Sequence, residues 1–185
     1  MKAINSLKEL VETLPHCSGK EYVEIAHRMQ IPLEDFEPYA HWSKETYTRN
    51  CISRSKDYEL LLLCWEEGMD TPIHCHGGEE CWVYALQGTI KEERFDFSND
   101  KEEEIELVQK TTMQEDSISY MNDNMGFHKL INVGEGRAMT LHLYMNPIDR
   151  CRIFDEEQAK FEVKELEYHT YKGEPVNDEI ALETM

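Results

Sequence analysis

Between residues 47 and 145 the chain breaks into short apolar or alternating runs: 47–52, 58–65, 81–86, 89–97, 105–109, 117–121, 128–133 and 138–145. Turn-forming residues cut them apart at Gly68, Gly77-Gly78, Gln87-Gly88, Ser98-Asn99-Asp100 and Gly134-Glu135-Gly136. Side chains on a strand point alternately to its two faces, so runs of this kind specify strands. Many short strands at this spacing specify an antiparallel sandwich or barrel. The first 42 residues have a different texture. Leu7, Leu10, Val11 and Leu14 fall at helical spacing, and Pro15 ends that segment. Ser18-Gly19-Lys20-Glu21 has the capping-box form, followed by a stripe of Tyr22, Ile25, Ala26 and Met29. Pro32 with Leu33 and Phe36 predicts one more short helix.

A chain of 185 residues is long enough for one domain with a substantial core and short for two. The expectation is a single domain: a helical extension over 1–42, a β-barrel over 43–172, and an acidic tail over 173–185 whose end is mobile. Lys and Arg number 19 against 38 Asp and Glu, a formal charge of −19. Such a chain repels nucleic acid and anionic membrane surfaces, so neither is expected as a partner. The densest apolar run, 60–65, is far too short to span a bilayer. With no continuous apolar stretch at the N-terminus, no signal peptide is expected and the cytoplasm is the expected location. The six cysteines then read as free thiols or site residues, and the absence of a CxxC pair argues against structural zinc. Nothing suggests a coiled coil or swapped strand, and a monomer is expected.

Chemistry enters at Pro72-Ile73-His74-Cys75-His76. On a strand, His74 and His76 point to one side and Cys75 to the other, so two imidazoles share a face. His128, in Gly126-Phe127-His128-Lys129, supplies a third nitrogen donor from a later run. A lone histidine is usually an ordinary core or surface residue; His-x-His with a suitable later histidine reads as a metal site.

The wider spacing is more specific. Gly68 lies six positions before His74, Cys81 five after His76, and Gly88 seven after Cys81. This resembles the first metal motif of the cupin superfamily, with Cys81 where most members carry a metal-binding Glu and Glu80 next to it. His128 and Asn132 match the end of the second motif, although Asp123 and Met125 replace its usual Pro-x-Gly. The departure at Cys81 resembles one family within the cupins, the cysteine dioxygenases. Tyr47-Thr48-Arg49-Asn50, Leu63-Cys64-Trp65, Leu86-Gln87-Gly88, Lys91-Glu92 and Leu141-His142-Leu143-Tyr144 also match that family. The resemblance spans roughly residues 40 to 155.

The resemblance implies a cupin-type antiparallel β-barrel, jelly-roll-like, behind an N-terminal helical extension. It implies Fe(II) held by His74, His76 and His128, and conversion of L-cysteine and O2 to cysteine sulfinate with both oxygens passing to sulfur. Three neutral imidazoles leave such a site one unit more positive than two imidazoles and a carboxylate, which suits a thiolate substrate. Arg49 would take the substrate carboxylate through its planar fork, with Tyr47 adding a hydroxyl. Taken alone, Arg49 would read as a surface ion pair. Cys81 and Tyr144 are the two positions that can join as a thioether. Tyr144 and His142 are the expected catalytic groups, both also near substrate, with Thr140 bonding His142, His142 bonding the Tyr144 hydroxyl, and Trp65 packed nearby. Cys151 is placed near the pocket mouth. Cys17, Cys51, Cys64, Cys75, His16, His27, His41 and His169 are given ordinary structural roles.

Three alternatives stay open: a dioxygenase of another small thiol such as 3-mercaptopropionate or cysteamine, a non-enzymatic metal-binding cupin, and a zinc cupin with different chemistry. Arg49 argues against cysteamine, which has no carboxylate. One departure bears on selectivity. Met145-Asn146-Pro147 stands where cysteine-specific members tend to carry Ser-Pro-Pro with a cis bond. A cis bond between two non-proline residues costs roughly 3 kcal/mol, so a trans bond and an altered pocket wall are expected here.

Overall fold

The structure, a computed structural model, describes residues 2–98 and 104–176. Two short helices come first, α1 (Leu7–Thr13) and α2 (Lys20–Ala26), with three-residue 3-10 turns at Leu14–His16, Leu33–Asp35 and Glu37–Tyr39. The strands that follow are β1 (Thr48–Arg54), β2 (Tyr58–Trp65), β3 (Ile73–His74), β4 (Glu80–Gln87), β5 (Ile90–Phe97), β6 (Ile105–Met113) and β7 (Ile118–Met121). Then come β8 (Phe127–Asn132), β9 (Ala138–Met145), β10 (Arg150–Asp155), β11 (Lys160–Glu165), β12 (Thr170–Tyr171) and β13 (Glu174–Pro175).

The strands form two sheets, in the orders β13-β12-β1-β2-β9-β4-β7 and β11-β10-β3-β8-β5-β6. They face each other in a flattened jelly roll of the cupin kind, and no ladder between named strands joins one sheet to the other. Pairing is antiparallel throughout except for β1 and β12, which run parallel with Asn50 opposite Thr170. The five short or late strands, β3 and β10 to β13, lack a long apolar run; β11 in particular is exposed along almost its whole length. Backbone pairing rather than burial pattern defines them.

Two layers of core explain the densest apolar stretch. All eight residues of β2 are buried. Leu60, Leu62 and Cys64 face outward against Leu7, Leu10, Leu14, Tyr22, Ile25 and Phe36 from the helical segment. Leu61, Leu63 and Trp65 face inward and pack between the sheets with Cys81, Val83, Leu130 and Tyr144. A strand covered on both faces loses the alternation of a half-exposed one. The N-terminal segment is therefore the cover of the seven-stranded sheet. Its first helix is capped by Ser6, whose Oγ accepts from Glu9 N–H at 3.1 Å, while Glu9 reaches back to Asn5 N–H at 3.0 Å. At the second helix the Glu21 carboxylate accepts from Ser18 N–H at 2.9 Å, the reciprocal half of the expected box.

All six cysteines are free thiols. No helix among the described residues is long and apolar enough to cross a membrane. The described residues contain no cis peptide bond, so Met145–Asn146 is trans, and Asn146 takes a positive φ of 75°. At the chain's end, β13 pairs with β12; residues 177–185, where the mobile end was expected, lie outside the described residues.

Candidate metal centre

His74 ends β3 and stands directly opposite His128 on β8. His76 lies two residues on, beyond the strand. Strand alternation therefore does not place it. The Asp123 carboxylate does, accepting the N–H groups of His76 and Gly78, each at 2.7 Å, and so folding the loop back. The three rings converge: one donor atom from each of His74, His76 and His128 lies within 4.8 Å of the others.

Two of the three imidazoles are oriented by a hydrogen bond at Nδ1. His74 Nδ1 sits 2.9 Å from the Pro72 carbonyl and so carries the proton, which leaves Nε2 as a lone pair. His128 Nδ1–H donates to Glu92 Oε1 at 2.9 Å, which leaves its Nε2 on the side of His76. Burial pushes His74 down to about 3 and His76 well below its ordinary value, each helped by the neighbouring imidazoles. These two are neutral and ready to act as ligands. Two imidazole nitrogens bound at about 2.1 Å to one divalent ion, at a right angle, stand about 3.0 Å apart. His76 Nε2 and His128 Nε2 are 2.9 Å apart. The donor set fits a divalent metal.

Glu92, on β5, is the hidden support of this site. It is buried and also accepts from Ser119 Oγ at 2.7 Å and Arg94 Nη2 at 3.1 Å. Burial alone would raise its carboxyl, but the His128 hydrogen bond, Ser119 and Arg94 outweigh that and hold it at about 2. It is an anion aimed at a ligand imidazole, the arrangement that fixes ring orientation in metal sites.

The loop before His128 has a backbone requirement. Gly126 has φ +84°, and a Cβ there would collide with the Phe95 carbonyl oxygen of β5. Gly126→Ala is expected to destabilise the fold by about 1–3 kcal/mol and to weaken metal binding by displacing His128. Urea unfolding with and without metal measures both; an unchanged midpoint would contradict the close approach.

A cavity of about 490 Å³ opens beside the imidazoles, lined by Tyr47, Arg49, His74, His142, Tyr144 and Cys151 among others. Arg49 is only 8% exposed, and its Nε and Nη2 have no hydrogen-bond partner. Burial opposes its charge, but the buried Glu59 carboxylate facing it favours the charged guanidinium. It is not a surface ion pair. Tyr47 stacks on Trp65, with ring centroids 4.9 Å apart. Trp65 Nε1 donates to Thr140 Oγ1 at 3.0 Å, and Thr140 Oγ1 lies 2.8 Å from His142 Nε2. The hydroxyl proton is thus free for His142 Nε2, and His142, kept neutral by burial and by His128, carries its own proton on Nδ1. That buried N–H has no partner. The Thr140–His142 contact is present, but no hydrogen bond connects His142 to Tyr144, whose rings lie 6.4 Å apart. Two residues on one strand face stand side by side, and both reach into the cavity rather than toward each other.

Cys81 and Tyr144 are direct cross-strand partners on β4 and β9, and both are buried. The Tyr144 ring meets His76 edge-on at 5.3 Å. Burial pushes the Cys81 thiol and the Tyr144 hydroxyl well up, so both hold their protons. Cys151 lines the cavity as a buried thiol, raised to about 11 by burial and by Cys75. Several contributors carried no motif in the sequence. Asp123 marked only a departure from the cupin pattern, and Glu92 only a match of unassigned role. Glu59 and Tyr168 had no assigned part, and His169, expected to be an ordinary structural residue, lines the cavity and its Nδ1 accepts from the Arg49 backbone N–H at 3.1 Å.

A flattened jelly roll with three convergent imidazoles beside a cavity with a buried arginine defines a jelly-roll protein whose histidines have the arrangement to hold a metal ion. A solved double-stranded β-helix domain protein from Klebsiella pneumoniae is 14% identical, with a TM-score of 0.48 over 69% of this chain and 92% of that chain. The profile for cysteine dioxygenase type I matches residues 3–157, and the chain belongs to that family. Among similar proteins, cysteine dioxygenase type 1 of Rattus norvegicus is 30% identical over 91% of this chain and 88% of its own length. The Homo sapiens protein of the same name is 31% identical over the same shares.

Proposed function

We propose that this chain is an Fe(II)-dependent dioxygenase that converts L-cysteine and O2 to cysteine sulfinate. The observation that carries this reading is Arg49: a buried guanidinium with unpaired N–H groups lining the same cavity as His74, the one of the three convergent histidines that reaches it. A small thiol that also carries a carboxylate is the ligand that answers both features.

The ligand set would be His74, His76 and His128, with Glu92 and Asp123 holding His128 and His76 in place. Fe(II) held there would supply the open positions and the reversible redox chemistry that let a thiol and O2 react, with no net change in its own oxidation state. Arg49 takes the substrate carboxylate, and Tyr47, which immediately precedes β1 and lines the same cavity, adds a hydroxyl. His142 Nδ1–H and the Tyr144 hydroxyl are the neutral proton donors of the cavity, placed to hydrogen-bond to developing oxygen charge. The O–O bond breaks, two S–O bonds form, and sulfur supplies the four electrons that reduce O2; the thiol proton is released and the C–S bond remains. The Cys81–Tyr144 pairing supports a thioether between Cys81 sulfur and the Tyr144 ring, a bond that would fix the hydroxyl in place. Forming it breaks the Cys81 S–H bond and one ring C–H bond of Tyr144, with O2 as the oxidant, and intact-mass spectrometry reads the loss of those two hydrogens. Six free thiols support a reducing compartment, the cytoplasm.

The test is oxygen consumption by Fe(II)-loaded protein with L-cysteine, 3-mercaptopropionate and cysteamine in parallel, with mass analysis of the product. Cysteine-dependent uptake with both oxygens in sulfinate is expected. Uptake with 3-mercaptopropionate alone would assign the substrate to the altered Met145-Asn146 wall, and no uptake with any thiol would overturn the reading.

A further inference from the structure

Glu59 is fully buried in the middle of the seven-stranded sheet, and no part of the proposed chemistry uses it. On β2 it shares the inward face with Leu61 and Leu63, and Leu63 is the register partner of Arg49 on β1. On its other side it stands opposite Tyr144 on β9, which in turn stands opposite Cys81 on β4. The pairing of β1 with β2 shifts between Cys51 and Ser53, so that Arg54 rather than Ser53 faces Glu59. A bulge turns the following side chains to the other face, so this one brings a second arginine inward. The result is a buried row of Arg49, Glu59 and Arg54. Glu59 Oε2 is 3.8 Å from Arg49 Nη2, and Oε1 is 3.4 Å from Arg54 Nη1 and accepts from the Tyr168 hydroxyl. Arg54 is tied in turn to Asp149 at 2.7 Å. Burial raises the Glu59 carboxyl, against the pull of Arg49, Tyr168 and Arg54.

We infer that Glu59 is a positioning residue for Arg49: from behind the cavity wall it holds the guanidinium in the orientation that receives a ligand carboxylate. Glu59 does not line the cavity, whereas Arg49 does, so it can act on a ligand only through Arg49. Arg49 Nε and Nη2 have no hydrogen bonds of their own. The ion pair with Glu59 is the charged restraint on a side chain with many rotamers. Without it, a desolvated cation stands next to an open cavity that also presents Asp70, Glu156, Glu165 and Glu167, and these carboxylates can draw it away. A purely electrostatic role has the opposite sign. Removing a negative charge from behind Arg49 would then make the pocket more attractive to carboxylates.

The inference rests on the reading that Arg49 takes the substrate carboxylate, and the test separates the two. Fe(II)-loaded protein is titrated anaerobically with L-cysteine and with cysteamine, which lacks the carboxylate, in the parent, Glu59→Gln and Arg49→Gln forms. Glu59→Gln keeps the size of the side chain and an oxygen that can accept from the Tyr168 hydroxyl while removing the charge. It is expected to raise the Kd for L-cysteine by about tenfold, at the low end for coupling between close charges, and to leave cysteamine within about twofold. Glu59→Asp, which keeps the charge, is expected to retain more L-cysteine affinity than Glu59→Gln. Unchanged or tighter L-cysteine binding in Glu59→Gln, or equal weakening of both ligands, overturns the role of Glu59 while Arg49→Gln still weakens L-cysteine alone. If Arg49→Gln leaves L-cysteine binding intact, the carboxylate reading itself fails, and the inference fails with it.

Discussion

Arg49→Gln lowers kcat/KM for L-cysteine by on the order of a hundredfold while the protein stays folded. Truncating one partner of a buried, charge-assisted contact costs about 2–5 kcal/mol, and each ~1.4 kcal/mol is a factor of ten. The upper part of that range applies where the partner left behind is itself trapped without water. Here the partner is a ligand that can leave, so the loss appears as weaker binding and not as an unstable protein. Glu59 keeps Arg54 and the Tyr168 hydroxyl as partners, so the fold does not inherit an isolated buried carboxylate. The measurement is steady-state oxygen uptake across a series of thiols. L-cysteine and 3-mercaptopropionate should both lose rate and cysteamine should not. An Arg49→Gln enzyme with the parent rate on L-cysteine would remove the carboxylate anchor from the account.

Glu92→Gln weakens metal binding by about 10- to 100-fold, the usual range when a partner behind a metal ligand is lost. The glutamine amide can still accept from His128 Nδ1–H, so the imidazole remains in place but loses the charge that makes it a stronger donor. The change also leaves Arg94, itself only partly exposed, without its carboxylate partner at 3.1 Å. Some loss of stability accompanies the loss of metal. Competition for Fe(II) against a chelator separates the two effects, since an affinity change measured on folded protein reports on His128 alone. A metal affinity equal to the parent's would mean that the ring is fixed by its register with His74 and not by Glu92.

Much of this was legible before any coordinates. The runs at 58–65 and 138–145 match β2 and β9 residue for residue, because both are long and apolar and end at turn residues. The His-x-His pair, the later histidine, Cys81 and Tyr-Thr-Arg-Asn stand at spacings specific enough to single out a family. The strands after 145 were not legible. β10 and β11 alternate weakly, and their pairing partners lie far away in sequence. Burial of a strand edge by a distant segment leaves no mark on local pattern.

The sequence by itself determined the mainly-β architecture, the helical cover and the three imidazoles with their arginine. Residue type and spacing carry that information, since alternation selects strands and only certain side chains bind metals or carboxylates. Tertiary structure alone decided what holds those groups in place. The charge on Glu92, the loop clamp of Asp123, the bulge that turns Arg54 toward Glu59 and the absent bond between His142 and Tyr144 all depend on which strands become neighbours. Neighbours across a sheet are chosen by the packing of the whole chain, and a buried carboxylate shows its purpose only once the cation or imidazole beside it is known.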